Sequence, residues 1–202
     1  MKKLLLILPL LLLSCSCKQN TRCESKVNIF DIKPVGLLDG LLESLEIDDT
    51  NSCYKLIDID EDINGKVVYI NTLVDKCPVI ITIDCDMHGN IYSVNQEWLL
   101  TADSTEVGFR ETMNHKYNQL TEELNKRNCM PSSSTITYAD ELGTHSKTEW
   151  KCNQYDIDLI MTIGERVAED GSVYGSIVVK YINTVLPIRE LFCDPLDSFL
   201  ED

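Results

Sequence analysis

Val79-Ile80-Ile81-Thr82-Ile83-Asp84 is the stretch that decides the fold. Its residues alternate with a period of two. Val79, Ile81 and Ile83 face one way and Thr82 and Asp84 the other, as in a strand with one buried face. Working outward, Tyr54 to Ile59, Lys66 to Val74 and Asn90 to Gln96 are β-branched or aromatic runs divided by turn residues. Together they predict a four-strand meander. Cys77 and Cys85 share the parity of Val79 and Ile83, so both thiols are expected to point into the core.

On the N-terminal side, Gly36 is followed by Leu37, Leu38, Leu41, Leu42 and Leu45. That spacing predicts an amphipathic helix ending near Asp48-Asp49, weakened by Gly40. On the C-terminal side, Asp103 and Glu106 have the spacing of a capping box. Phe109, Met113, Tyr117, Leu120 and Leu124 then recur every three or four residues, predicting a second helix that faces a sheet and ends at Pro131. A Ser-rich turn, a hairpin from about Thr135 to Cys152 and a strand with Ile157, Leu159, Met161 and Ile163 on one face come next. The turn at Asp170-Gly171 leads to a final strand, Val173 to Ile182, expected to close the sheet. In the tail, Ile188, Leu191, Phe192, Leu196, Phe199 and Leu200 have helical spacing but Pro195 interrupts it, so the segment is expected to pack over the domain edge near Cys193. The expected fold is α+β: a single domain with an antiparallel sheet of about six to eight strands and two helices packed on one face.

Residues 1–14 read differently. Lys2 and Lys3 precede an apolar run from Leu4 to Leu13. As a helix that run rises about 15 Å, roughly half of a bilayer core, which is the pattern of a secretory signal and too short for a span. Leu12-Leu13-Ser14-Cys15 resembles the lipobox of bacterial lipoproteins, which implies cleavage before Cys15 and lipid attachment to it. Cys17 fits less well, because Ser14 stands three residues before it where an aliphatic residue belongs. Several acyl chains, at about 0.8 kcal/mol per buried CH₂, make such an anchor stable. Ser16, where an aspartate would imply retention in the inner membrane, favours the outer membrane facing the periplasm. Residues 15–28 read as the lipidated cysteine and a tether, and 29–202 as the domain with its irregular tail. About ten flexible residues span roughly 17–19 Å, which keeps the domain close to the bilayer.

Losing residues 1–14 removes two lysines and no acids, so the formal net charge moves from −15 to −17. A balance this acidic speaks against nucleic acid as a partner, because phosphate-binding surfaces concentrate Lys and Arg. It also holds the domain off anionic headgroups. Solubility accounts for the charge, with a cationic protein partner as the other use. Of nine cysteines, lipidation of Cys15 leaves eight: Cys17, Cys23, Cys53, Cys77, Cys85, Cys129, Cys152 and Cys193. An even count in an exported chain points to disulfides alongside some unpaired buried thiols, with no connectivity assignable from spacing. There is no CxxC pair to suggest zinc.

Two turns carry oxygen-rich spacing. Asp60, Asp62 and Asn64 before Gly65, and Asp84, Asp86 and His88 before Gly89, match the first half of a calcium loop. Position 12 should be a glutamate but is Asn71 or Asn95, and hairpin turns with Asn64-Gly65 and His88-Gly89 at positive φ account for the same residues. His88, His115 and His145 have no partner at ligand or triad spacing, and no nucleophile or phosphate-loop motif occurs. The sequence therefore nominates no catalytic, cofactor or metal residue and no small-molecule substrate.

In the order of its elements the chain resembles small, mostly uncharacterised lipoproteins of Bacteroides-type bacteria. Gly36, Asn64-Gly65, Tyr117, Trp150 and Val179-Lys180-Tyr181 stand at the corresponding places, over residues 36 to 182. The resemblance implies an envelope lipoprotein, and would make Asp103-Ser104-Thr105 an O-glycosylation tripeptide. The expected role is a non-enzymatic protein-binding module. Alternatives are an immunity or enzyme-inhibitor protein, a calcium-dependent binding module and, last, a redox protein.

Overall fold

Alternation like that of residues 79–84 runs through most of the chain. A computed structural model describes residues 27–47, 52–101, 106–127, 130–131, 135–140, 143–167 and 173–186. The strands are β1 (Lys55–Glu61), β2 (Gly65–Val74), β3 (Cys77–Asp86), β4 (Ile91–Thr101), β5 (Met130–Pro131), β6 (Ile136–Asp140), β7 (Gly143–Lys151), β8 (Tyr155–Val167) and β9 (Val173–Asn183). The helices are α1 (Leu38–Ser44) and α2 (Glu106–Asn125), preceded by a 3₁₀ turn, Ile29–Asp31. Eight strands form one antiparallel path, β1-β2-β3-β4-β9-β8-β7-β5, and β6 also pairs with β7. The architecture is α+β and mostly sheet.

The final strand does not close the sheet at an edge. β9 lies between β4 and β8, joining the β1–β4 meander to the β7–β8 hairpin. Its run Ile177-Val178-Val179 suits a strand with neighbours on both sides. Register stacks the apolar set. Ile70, Ile81, Gln96, Val179, Leu159 and Thr148 lie opposite one another across six strands, and all are buried. The next row, Val68, Ile83, Val94, Tyr181, Ile157 and Trp150, is buried as well. Cys85 is buried and Cys77 partly so, against the same core.

The stripe Phe109, Met113, Tyr117, Leu120 and Leu124 of α2 is entirely buried. At about 1.5–3 kcal/mol per side chain, that burial outweighs what a helix of this length gains from its own hydrogen bonds in water. The Tyr117 hydroxyl lies 2.8 Å from Thr148 Oγ1, which lies 2.8 Å from Thr135 Oγ1. Trp150 Nε1 donates to Asn125 Oδ1 at 2.9 Å. The helix stops at Asn125, short of Pro131, because that proline is taken into β5 opposite Trp150. Asp103 of the expected capping box and the tripeptide 103–105 lie outside the described residues.

α1 is shorter than its leucine stripe suggested. Glu46, at φ 52°, turns the chain out of the helix. Leu38 and Leu45 are buried, Leu41 and Leu42 partly so, and Leu37 is exposed. The core begins at Ile29, Phe30 and Ile32. Gln96 Nε2 donates to Ile29 O at 2.7 Å, and Phe30 stacks on Trp98. Among the described residues no helix is long and apolar enough to cross a membrane.

Candidate functional site

The two oxygen-rich turns are built as turns. Asp62 Oδ1 accepts from Asn64 N at 2.7 Å and Gly65 N at 3.0 Å. Asp86 Oδ1 accepts from His88 N and Asn90 N, and its Oδ2 from Asn90 Nδ2. Burial alone would raise the Asp86 pKa, but these bonds outweigh it and hold the carboxyl below its ordinary range. Gly89 has the expected positive φ of 80°. Gly65 does not. Its requirement is close approach, since a Cβ there would lie 2.1 Å from the Cys85 carbonyl oxygen. Among the described residues no three His, Cys, Asp or Glu side chains are grouped to hold a metal.

What spacing along the chain did not reveal is how these residues meet across strands. Asp60 lies opposite Val67, and Val67 opposite Asp84. One step along, Asp58, Tyr69, Thr82, Asn95, Lys180, Asp158 and Glu149 form a row on the same face. A third row runs Asn71, Ile80, Glu97, Val178, Ile160 and Lys147. From β2 to β9 these side chains are half-buried. Burial and then the charges of Asp60, Asp84 and Asp58 push the Tyr69 phenol up. A cleft of about 260 Å³ opens beside Tyr69, lined among others by Asp60, Asp62, Asp84, Lys66 and Val67.

The two halves of this face differ in charge. On β7–β8, Lys147 bridges Glu149 at 2.8 Å and Asp158 at 3.0 Å, and Lys151 pairs with Asp156. In the β1–β4 half the described pair is Lys66 with Glu61, at 3.3 Å where β1 and β2 meet their turn. Asp58, Asp60, Asp84 and Glu97 make no ion pair among the described residues, although Asp84 accepts from Ser93 Oγ and Asp58 from Ile59 N. Glu97 sits between Ile80 and Val178, and burial raises its pKa. Asn95 Oδ1, also on this face, is buried without a hydrogen-bond partner.

The histidines occupy three separate elements. His88 is in the β3–β4 turn and His115 on α2. His145 is buried on β7, with Nδ1 3.0 Å from Thr162 Oγ1 and its ring stacked on Tyr138. Cys77 and Cys85 are free thiols, and burial pushes both pKa values up, against thiolate chemistry at either. Cys53 and Cys152 pack partly buried against the core. Cys15, Cys17, Cys23, Cys129 and Cys193 lie outside the described residues. Tyr69 and Glu97 were not singled out from the sequence. The available signal was Glu97 itself, a carboxylate inside a strand between Gln96 and Trp98.

Comparison with protein-family models, curated proteins and solved structures finds no match to this chain.

Proposed function

We propose that this chain is a cell-envelope lipoprotein, anchored through lipid on Cys15, whose sheet binds another protein and performs no chemistry of its own. The observation that carries the reading is the face holding Tyr69, Thr82, Asn95 and Glu97, against which no other described element packs. In this reading both helices and the 3₁₀ turn lie on the opposite face. Supporting that arrangement, Phe30 stacks on Trp98, Tyr117 reaches Thr148, and Leu38 belongs to the same core. A sheet whose path is eight strands, with half-buried Ile80, Val178 and Ile160 on its other side, offers the mixed apolar and polar surface of a non-obligate interface.

The lipobox of residues 12–15 supports envelope attachment, Ser16 an outer-membrane address facing the periplasm, and the even cysteine count disulfides formed there. The likeness to Bacteroides-type lipoproteins agrees with the same assignment. The unpaired carboxylates of the β1–β4 half favour one narrower version, an immunity or inhibitor protein that meets a basic target. Crosslinking in intact cells, followed by pull-down through the anchored protein, tests the binding role. A reproducible protein partner in the membrane fraction is expected; a chain recovered alone, at every crosslinker length, refutes it. Labelling with a fatty-acid analogue tests the anchor. Incorporation should disappear in Cys15→Ala and persist in Cys17→Ala.

A further inference from the structure

We infer that the β1–β4 half of the uncovered sheet face is the docking surface for a basic protein, one of whose Arg or Lys side chains enters the cleft beside Tyr69. The inference rests on the protein-binding reading above and names the surface and the partner's chemistry.

Charge complementarity identifies the occupant. The face as a whole carries both signs, but Lys147 and Lys151 are paired with Glu149, Asp158 and Asp156 on β7–β8, and Lys180 stands on β9, outside the β1–β4 half. The carboxylates of Asp58, Asp60 and Asp84 around Tyr69 make no ion pair among the described residues, and the cation in the cleft lining, Lys66, bridges Glu61 at 3.3 Å, so acids outnumber cations there. Anionic oxygens ringing an aromatic ring attract a guanidinium or ammonium through both charge and the ring quadrupole.

Shape points the same way. At about 260 Å³ the cleft falls below the roughly 300–1,000 Å³ of small-molecule sites, so it suits one long side chain better than a cofactor. The rest of the patch is not simply acidic. Ile80 and Val178 flank Glu97, and the adjoining Asn95 Oδ1 is shut off from water without a partner. A carboxyl held between apolar side chains is an acceptor awaiting donors, which a basic protein surface supplies. An acidic segment does not fit. The chain's own residues 187–202 carry one arginine against five acids, so they would bring like charge to this surface.

The test is site-specific photocrosslinking of the full chain in intact cells. A benzophenone side chain is placed at Thr82, in the centre of the patch, and separately at Asn118, an exposed position of α2. The expected result is a Thr82 crosslink to a second protein through a peptide of net positive charge. It should fall about tenfold in the Asp60→Asn/Asp84→Asn double variant and weaken with rising salt. A matching melting temperature for the double variant shows that the loss is not unfolding. A Thr82 crosslink to residues 187–202, to another copy of the chain or to an acidic peptide overturns the inference, as does a yield that the double variant leaves unchanged. A partner crosslinked from Asn118 alone overturns the surface but leaves protein binding standing. Crosslinks from neither position, with an empty pull-down, remove both.

Discussion

Replacing Gly175 with alanine should destabilise the domain, although alanine is ordinarily the better strand residue. A Cβ built on Gly175 lies 2.8 Å from Met113 Cε, 2.9 Å from Thr162 O and 3.0 Å from Phe109 Cζ. Met113 can bend away, but the Thr162 carbonyl belongs to the β8–β9 ladder, and Phe109 and Met113 are fully buried in the α2 stripe. Overpacking of this kind costs about 1–3 kcal/mol, against a gain of roughly 0.5–1 kcal/mol from the stiffer unfolded chain. The net loss is about 1–2 kcal/mol, or a melting temperature lower by roughly 2–8 °C for a domain of this length. Urea titration followed by circular dichroism reads it as a lower midpoint at unchanged slope. Met113→Ala by itself should cost about 2–5 kcal/mol, and the double variant should lose about 1 kcal/mol less than the two singles combined, since the cavity accepts the added methyl. Gly175→Ala at or above wild-type stability, or strict additivity in the cycle, would refute the claim that α2 sits hard against β9 at this glycine.

Asp75 and Lys76 both sit at positive φ, 50° and 66°, in the two-residue turn between β2 and β3. Lys76→Gly should therefore stabilise the protein by about 0.5–1 kcal/mol, visible as a higher denaturation midpoint. Thr148→Val removes the hydroxyl that meets Tyr117 Oη and Thr135 Oγ1, leaving Tyr117 only Leu159 O at 3.5 Å. A cost of about 1–3 kcal/mol is expected, shrinking when Tyr117→Phe is combined with it. Asp86→Ala should cost a similar amount at neutral pH. Because hydrogen bonds hold the Asp86 carboxyl below its ordinary range, its contribution is present above the unfolded aspartate pKa and is lost as pH falls through the lower folded value. Denaturation midpoints of variant and wild type should thus separate at neutral pH and converge as pH falls below the ordinary aspartate range. Finally, alkylation of the unfolded, unreduced protein should label Cys77 and Cys85. Cys53 and Cys152, which are disulfide-bonded, should be labelled only after reduction.

Much of the secondary structure was legible along the chain, because it is written in local periodicity. Val79, Ile81 and Ile83 mark their own buried face, and the spacing of Phe109, Met113, Tyr117, Leu120 and Leu124 marks the stripe of α2. Both periods follow from backbone geometry within a few residues. Element ends were less legible. α1 stops at a left-handed Glu46 and α2 stops before a proline that pairs with Trp150, and neither event has a local signature.

Read by itself, the sequence determined the alternating strands, the long amphipathic helix, the acidic balance and the lipobox-like segment ending at Cys15, all properties of neighbouring residues. Strand order was decided by tertiary structure alone. β9 enters the middle of the sheet because pairing energy depends on partners far away along the chain, 73 residues for Thr101 opposite Tyr174 and 83 for Gln96 opposite Val179, in a ladder closed only after α2 crosses over. The candidate surface was decided the same way. Asp60 and Asp84 read along the chain as halves of two calcium loops, and they become neighbours only when β2 places Val67 between them.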